Sequence, residues 1–194
     1  MPVPTVRVPS AAEEAAAVGA VVLAFSTDPM ARWCWPAPHT YLATMPRFTR
    51  AFAGGAFVHG GAFCSGDFAG AALWLKPGVA PDEQTMGEIA QATVSDDIRQ
   101  DLFAVMEQMG RSHPHEAHWY LPLIGVDPAR QGQGYGDALM RYALEQCDRQ
   151  HLPAYLESTN PRNITLYRRH GFEELGRIQV GRSPTLVPML RPAR

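Results

Sequence analysis

The chain has 194 residues, of which 46% are hydrophobic and 19% are charged, and its formal net charge is −2. These values are typical of a soluble globular protein with a packed core, and they exclude general disorder. Because the charge is close to neutral and no basic block occurs, neither nucleic acid nor an anionic membrane is expected as the main partner.

Cysteine usage and apolar runs limit the class of protein further. Cys34, Cys64 and Cys147 are far apart and odd in number, and no CxxC pair occurs, so neither a disulfide framework nor a zinc site is indicated. We therefore expect a protein of the reducing cytoplasm. The longest apolar run, residues 15–25, is too short to cross a membrane, and glutamates precede it where a secretory signal carries basic residues.

The first half of the chain mixes strands and helices. The predicted elements are a strand at 4–8, a capped helix ending near 27, an aromatic-rich turn at 30–39, a helix at 40–53, and paired strands at 56–60 and 68–75. Ser10 and Glu13 form a capping box for the first helix. Gly54-Gly55 is predicted to break the second helix.

The second half continues in the same way, with turn signals between the elements. The predicted elements are helices at 83–92 and 96–109, a strand at 117–126, a helix at 135–149, a strand at 153–158, a helix opened by Asn160-Pro161 and closed by Gly171, and a hairpin turning at 181–184. No linker separates them, so we expect one α/β domain over residues 1–194. The segment 76–115 is interpreted as a helical cover over a site.

A glycine-rich turn, DPARQGQGYGDALM at 127–140, lies between a predicted strand and a predicted helix. Glycine lets backbone approach a ligand closely, and the free N–H groups and dipole of a helix start favour an anion. A Walker loop is excluded because no lysine follows the glycines, Lys76 being the only lysine in the chain. A dinucleotide fingerprint is disfavoured because Asp137 and Leu139 stand where it requires its last glycine.

The pattern that remains is Q-x-x-G-x-G, formed by Gln131, Gly134 and Gly136. With the preceding strand IGVDP and the following helix, it resembles the acetyl-CoA-binding segment of the GNAT N-acetyltransferase superfamily. The stretch YLESTNPRNITLYRRHGF at 155–172 is similar to the second motif of that superfamily, a strand followed by N-x-x-x-Y and GF. The HWYL strand, the LES strand end and the PRN-x-x-x-Y spacing most resemble the branch that contains puromycin N-acetyltransferase. The resemblance is strongest over about 117–175.

The resemblance implies an α/β GNAT fold. Its mixed central sheet has about six to seven strands, two parallel central strands that splay apart, and helices on both faces. It also implies acetyl-CoA as co-substrate and no metal. A coenzyme arm rich in amides would lie along the open edge of one central strand.

Three sets of residues would hold the coenzyme. They are Leu123, Ile124, Gly125 and Val126 on the strand; Gln131, Gly132, Gln133, Gly134, Tyr135, Gly136 and Asp137 in the turn; and Asn163 and Tyr167 on the next helix. Arg130 would add positive charge at the rim. Pro122 indicates a bulge or an edge in the strand, and a backbone N–H near Ile124 is expected to polarise the thioester carbonyl.

Acid–base chemistry is assigned to a tyrosine and a carboxylate. Asn163 and Tyr167 are four residues apart and share a helix face. By resemblance, the Tyr167 hydroxyl faces the coenzyme sulfur, where a phenol can protonate the departing thiolate. Glu157, at the end of a central strand, is the first candidate for the base, and His118 is the second.

The segment HPHEAH at 113–118 raises the possibility of a metal site, since it holds three histidines and Glu116. Pro114 and the turn into the next strand prevent a common ligand face, and the expected chemistry needs no metal. We therefore predict no metal here.

The acceptor site is predicted from aromatic residues. Trp33, Trp35, Trp74 and Trp119 would line a pocket for a flat or apolar amine, with core packing as the alternative for each. Asp28 would hold a cationic amine. The expected reaction transfers an acetyl group to the primary amine of a small molecule by direct attack in a ternary complex. The alternatives are a CoA-binding sensor without turnover and a transferase that uses another short acyl-CoA. The protein is expected to be a monomer or a homodimer.

Overall fold

A computed structural model describes residues 4–194. Within these residues, seven strands form one mixed sheet in the order β1-β2-β3-β4-β5-β7-β6. The strands are β1 (Val6–Arg7), β2 (Ala62–Ser65), β3 (Gly70–Leu75), β4 (Trp119–Val126), β5 (Ala154–Ser158), β6 (Glu173–Glu174) and β7 (Val187–Arg191). The central strands β4 and β5 run parallel, and the other described neighbours run antiparallel. The expected α/β class and mixed sheet are confirmed.

Helices pack on both faces of this sheet. They are α1 (Glu14–Ala24), α2 (Pro29–Cys34), α3 (Pro38–Ala53), α4 (Gly55–Val58), α5 (Glu83–Thr93), α6 (Asp96–Ser112), α7 (Tyr135–Arg149) and α8 (Ile164–Arg169). A buried hydrophobic cluster lies on each face of the sheet. One packs against α1, α3 and α5, and the other packs against α7 and α8. Strand alternation produces this division, because Tyr120 points to the first cluster while Trp119 and Leu121 point to the second.

The parallel strands β4 and β5 separate after a short paired stretch. Their last paired residues are Leu121 and Leu156. At the same point the pairing of β4 with β3 slips, since Tyr120 and Leu123 oppose Leu75 and Leu73. One extra residue therefore lies in β4, at Leu121-Pro122, and this is a β-bulge. The splay is confirmed, and so is the bulge that Pro122 predicted.

The bulge also shifts the alternation of side chains along β4 by one residue. Before it, Tyr120 points to the α1 side, and after it Leu123 points to that side too, although an unbroken strand would send them to opposite faces. Gly125 then faces α1, and Ile124 packs on the α7 side.

Several predicted elements match the structure. Helix α7 spans Tyr135–Arg149 as predicted, and Asn160 accepts a hydrogen bond from the Arg162 N–H, as expected of a cap. In the capping box, the Ser10 N–H donates to the Glu13 carboxylate at 2.8 Å. The C-terminal hairpin is present as β6 paired with β7.

Two predictions around the second helix were wrong. Residues 56–60 are helix and turn instead of a strand, because Gly54 keeps helical dihedrals (φ −61, ψ −29) and α4 continues from it. A short apolar run does not by itself distinguish a helix from a strand. The aromatic-rich turn at 30–39 contains helix α2, which Asp28 caps and Pro29 opens.

A third wrong prediction concerns the end of α6. The helix was predicted to stop at Gly110 but runs to Ser112. A Cβ on Gly110 would meet nothing within 4 Å, so this glycine neither ends the helix nor permits a close contact. His113 is the residue that follows α6, in extended conformation (φ −69, ψ 131).

Close packing of α1 on β4 depends on Gly125. A Cβ added there would lie 2.5 Å from the Ala24 Cβ. We expect Gly125→Ala to lower the free energy of unfolding by about 1–3 kcal/mol through overpacking. The control is Gly19→Ala in α1, where an added Cβ meets open space. This substitution should raise the free energy of unfolding by about 0.5–1 kcal/mol. Urea denaturation of both variants measures these changes; a Gly125→Ala protein as stable as wild type would contradict the contact.

Candidate active site

A cavity of about 1150 Å³ lies where β4 and β5 separate. Its floor comes from β4 and from the end of β5, including Tyr120, Ile124 and Glu157. Helices α5 and α6 contribute Met86, Leu102 and other residues to its walls. The predicted cover at 76–115 thus borders this cavity, mainly with apolar side chains.

Glu157 presents an enclosed charged side chain in the cavity wall. Its side chain is 3% exposed, and its Oε1 atom has no hydrogen-bond partner among the described residues. Removing a carboxylate oxygen from water without a partner costs free energy. An unpartnered buried oxygen beside a cavity therefore fits a group that exchanges a proton with a ligand.

Two tyrosines on neighbouring strands flank this carboxylate. Tyr120 and Tyr155 are register partners on β4 and β5, with ring centroids 5.9 Å apart. Burial first, and then the negative charge of Glu157, raises the pKa of both phenols far above its usual value. Both hydroxyls therefore stay protonated and able to donate at neutral pH.

Two histidines contact each other beside the same group. The Nε2 atoms of His113 and His118 are 2.9 Å apart, and the Nδ1 atom of His118 lies 2.7 Å from the Glu116 carbonyl oxygen. The His113 Nδ1 atom lies 4.0 Å from Glu157 Oε1. Both candidates for the base, Glu157 and His118, therefore belong to one polar group. Burial lowers the pKa of His118, and the neighbouring His113 lowers it further.

Tyr167 reaches the cavity from the opposite face of the sheet. It is 5% exposed, packs against Phe172 with centroids 6.2 Å apart, and lines the cavity together with Asn163. Burial first, and then the negative charge of Asp28, raises the pKa of its phenol. The hydroxyl therefore keeps its proton at neutral pH, as an acid must before it donates.

The glycine-rich turn forms an open helix start. Gly132 and Gly134 have φ of +74 and +85, which residues with a Cβ rarely adopt. The Ala138 N–H bonds to the Gly134 carbonyl, so the N–H groups of the first helical residues, 135–137, point out of the helix. Gly136 is different, since it lies in helix α7 and a Cβ added there would lie 3.4 Å from a Leu166 methyl.

Side chains of the turn fold back on the protein. Gln131 and Gln133 donate to the carbonyls of Val126 and Ala129. Tyr135 accepts a hydrogen bond from the Arg130 guanidinium, which also binds Asp67 at 2.9 Å. The backbone is therefore the part of this turn that is left to face an anion.

Asp137 is held away from the N–H groups of its own turn. Its carboxylate pairs with Arg141 and lies 3.0 Å from the His170 Nε2 atom. Hydrogen bonding with Arg141 and the charge of His170 lower the pKa of Asp137 against the opposing effect of burial. A carboxylate neutralised in this way is compatible with an anion at the helix start.

The coenzyme-binding candidates fall into two groups in space. Leu123, Ile124, Asn163 and Tyr167 line the cavity. The turn at 131–137 lies beyond the far end of β4, outside the cavity wall, and Gly125 packs against α1. The strand β4 thus connects the two groups, with the cavity at its bulge and the turn at its end.

The acceptor candidates are placed differently from one another. Trp35 lines the cavity and donates its Nε1–H to Thr93 Oγ1 at 2.9 Å. Trp74 and Trp119 are fully buried against each other on the α7 side, because alternation points them away from the cavity. Trp33 packs against the α1-side core and does not line the cavity. For these three tryptophans, the core-packing alternative holds.

Asp28 lines the cavity but is already saturated. Its Oδ1 atom accepts from the Met30 and Ala31 N–H groups, and its Oδ2 atom accepts from the Thr159 hydroxyl at 2.6 Å. It therefore serves as the cap of α2 and as a tie to the end of β5. Burial raises its pKa against these hydrogen bonds.

Sequence reasoning missed several cavity residues. Phe48 and Phe52 of α3 stack with centroids 5.4 Å apart, and Phe52 packs on Tyr120. Their i, i+4 spacing was a readable signal of one helix face. His113 was considered as a metal ligand only, and its pairing with His118 needed the turn geometry.

Two features are absent from the described residues, a metal-binding cluster and a membrane-spanning helix. Between residues 4 and 194, no group of three or more His, Cys, Asp and Glu side chains is arranged to hold a metal ion. Over the same residues, none of the helices combines the length and the apolar composition needed to cross a membrane.

Comparison with known proteins adds sequence relatives. The family model described as an acetyltransferase (GNAT) domain matches residues 96–174. An uncharacterised N-acetyltransferase of Schizosaccharomyces pombe is 30% identical over 140 residues, which is 64% of this chain and 55% of the relative. The N-alpha-acetyltransferase RimI of Mycobacterium tuberculosis is 34% identical over 74 residues, 38% of this chain and 46% of that protein. The chain thus spans about half the length of these two curated relatives.

Solved structures agree on the fold. A structure described as histone acetyltransferase HPA2 and related acetyltransferase, from Corynebacterium glutamicum, has a TM-score of 0.73 at 25% identity and covers 100% of this chain and 98% of its own. Mosquito arylalkylamine N-acetyltransferase like 5b has a TM-score of 0.63 at 14% identity, with 97% and 99% covered, and this likeness shows the fold alone. Residues 96–174 are therefore similar to the acetyltransferase (GNAT) domain family, and the chain shares the architecture of solved acetyltransferase structures.

Proposed function

We propose that the protein is an acetyl-CoA-dependent N-acetyltransferase that acetylates the primary amine of a small molecule by direct attack in a ternary complex. One observation carries the proposal. The Glu157 carboxylate, whose Oε1 atom has no hydrogen-bond partner among the described residues, and the protonated phenol of Tyr167 line one cavity at the gap between β4 and β5. They reach this gap from opposite faces of the sheet, so a base and an acid can act on two sides of one reacting centre.

The coenzyme would be held by backbone more than by side chains. Outward N–H groups at the start of α7 suit a pyrophosphate. Beyond Leu121, β4 has no pairing with β5, and an amide-rich arm can add to such an edge as an extra strand. Asn163 lines the cavity where that arm would end. These features support the fit of acetyl-CoA, which would supply the acetyl thioester.

The proposed chemistry gives each of these two groups a part in proton transfer. An ammonium substrate loses a proton to the Glu157 carboxylate, and its lone pair then attacks the thioester carbon. The C–S bond breaks, and the sulfur takes the proton of the Tyr167 hydroxyl. The second proton, which the nitrogen must lose to become an amide, returns to the Tyr167 oxygen and restores the phenol. A backbone N–H near Ile124 on β4 would interact with the carbonyl oxygen as negative charge develops there.

The acceptor is proposed to be an amine with an apolar or aromatic body. The cavity walls include Trp35, Phe48, Phe52 and Met86, which suit an apolar body. Glu157 provides the negative end for an ammonium group. The sequence resemblance to the puromycin N-acetyltransferase branch also favours a small molecule. Names of relatives include an N-alpha-acetyltransferase and a mycothiol acetyltransferase, so they point to no single acceptor.

The proposal extends to setting and assembly. All three cysteines are free and buried, which suits a reducing cytoplasm. For assembly, we propose a monomer or a homodimer. We also infer acetyl as the transferred group, with another short acyl-CoA and a sensor without turnover as the alternatives that experiment must separate.

Binding of acetyl-CoA tests the glycine turn. Gly134→Ala places a Cβ at φ +85, which costs about 1–2 kcal/mol and should distort the backbone that faces the anion. We expect roughly a tenfold weaker Kd for acetyl-CoA by calorimetry. The control is Gly176→Ala, where a Cβ meets open space and the Kd should not change. A wild-type protein that neither binds acetyl-CoA nor is thermally stabilised by it would overturn the proposed function.

Turnover tests Tyr167. Tyr167→Phe keeps the packing on Phe172 but removes the proton donor, so kcat should fall by about 10²–10⁴ while the Kd for acetyl-CoA changes little. Tyr142→Phe is the control, since this half-buried residue packs on Phe63 at 5.0 Å and lies outside the cavity wall.

The assay is release of free thiol in single turnover with a panel of primary amines. The panel compares aromatic with polar bodies, and acetyl-CoA with propionyl-CoA and succinyl-CoA. Unchanged turnover in Tyr167→Phe would remove this residue from the chemistry. Tight binding of acetyl-CoA with no thiol release for any amine would favour the sensor.

A further inference from the structure

The segment HPHEAH at 113–118 forms a built polar cluster that the reaction as proposed above does not use. It connects α6 to β4 and brings His113 and His118 together beside Glu157. Its histidines do not form a metal-binding group with the described residues. Their hydrogen bonds, however, fix which nitrogen atoms carry protons.

The protonation pattern follows from a carbonyl oxygen. The Glu116 carbonyl can only accept, so the His118 Nδ1 atom, 2.7 Å away, carries a proton and donates. Neutral His118 therefore presents a bare Nε2 atom. The His113 Nε2 atom, 2.9 Å from it, must then carry a proton and donate. Neutral His113 is left with a bare Nδ1 atom, which faces Glu157.

An unprotonated nitrogen and a carboxylate are both hydrogen-bond acceptors, so they can bond to each other only if one of them gains a proton. The His113 Nδ1 atom and the Glu157 Oε1 atom are 4.0 Å apart, a distance that a small ring movement or one water molecule closes. A proton on Nδ1 would convert two facing acceptors into an ion pair. His118, through its bare Nε2, would stabilise the resulting imidazolium by accepting from its other N–H.

The difference in solvent exposure between Glu157 and His113 sets the direction in which a proton would move between them. The Glu157 side chain is 3% exposed, whereas the His113 side chain is 33% exposed. Tyr120 and Tyr155 pack edge-on against the His113 ring, with centroids 4.7 and 4.9 Å away, and hold it between the carboxylate and the surface. Besides these groups and His118, the cavity wall nearby carries the exposed residues His115 and Glu116.

We propose that His113 carries the substrate proton from buried Glu157 to solvent, and that His118 is the positioning residue that fixes its tautomer. This rests on the proposed function. The N–H bond of the substrate ammonium breaks and Glu157 gains the proton. Glu157 then passes it to His113 Nδ1, and the imidazolium releases it to water. Both groups return to their starting state, and the net change is one proton moved from the amine to water.

Proton transfer through His113 should depend on pH and should fail at low pH. Burial and the neighbouring His113 lower the pKa of His118, so His118 stays neutral at neutral pH and its Nε2 atom stays an acceptor. As the pH falls through that lowered pKa, the Nε2 atom becomes a donor and its hydrogen bond with His113 is lost. Transfer through the pair should therefore fail on the acid side.

Buffer rescue tests the transfer. His113→Phe keeps the ring contacts with the two tyrosines and removes the proton carrier. We expect kcat in dilute buffer to fall roughly 10-fold to 100-fold, below the full effect of a direct acid or base, with an unchanged Kd for acetyl-CoA. Rising concentrations of imidazole buffer should restore kcat. His39→Phe, an exposed histidine on α3, is the matched control and should neither slow the reaction nor respond to buffer.

Nitrogen-15 NMR of the histidines in the free protein gives a readout that needs no activity. We expect the Nδ1–H tautomer for His118 and the Nε2–H tautomer for His113 at neutral pH, with the His113 tautomer mixed in His118→Phe. The opposite tautomers in wild type would overturn the proposal. So would full activity in His113→Phe, or a slow variant that buffer does not rescue. Failure of wild type to bind acetyl-CoA or release thiol would instead overturn the proposed function, while the tautomer result would stand separately.

Discussion

The parting of β4 from β5 is the constraint on which the rest of the site depends. Pairing ends at Leu121 and Leu156 because a bulge at Leu121-Pro122 turns β4 away, and proline supplies no N–H to continue the ladder. Two strands in the middle of a sheet are thereby left with open edges. In a closed sheet, such unpaired backbone would be costly, so an open edge at the centre of a domain is a place for a ligand.

The same gap explains how the catalytic candidates meet. Glu157 belongs to the face covered by α1 and α3, as Tyr155 does, two residues earlier on the strand. Tyr167 belongs to the face covered by α7 and α8. In an unbroken sheet these side chains would be separated by the sheet itself. Where the strands part, both line one cavity, and a buried carboxylate and a buried phenol face a common space.

Local patterns in the sequence predicted the elements whose signals are themselves local. Helix α7 was predicted at its bounds because its apolar period and its glycine turn are continuous. The error at 56–60 arose where a run of three apolar residues carries no period, and helical dihedrals at Gly54 decided the outcome. The Asp28-Pro29 cap was a readable signal that was not used for helix α2.

The position of a candidate residue was predictable where its place along the chain determines it. It was not predictable where it depends on the face of the sheet to which the side chain points. Glu157 and Tyr167 could be placed because a strand end and a helix face put them near one centre. Trp74 and Trp119 could not, since either face of a central strand is apolar and only the packing shows that they point to α7. The meeting of His113 with His118 depends on a turn that no periodicity describes.

Placing the two ligand sites on opposite faces of one sheet makes them separable parts. The proposed pyrophosphate cradle belongs to the turn before α7, whereas the cavity walls include, besides residues of α6, residues of three helices on the other side, α2, α3 and α5. Substitutions in those three helices can reshape the acceptor walls without touching the cradle, because the sheet stands between them. Under the proposed function, a lineage could therefore change the amine that it acetylates while its use of coenzyme stays the same, and proteins that share this architecture need not share a substrate.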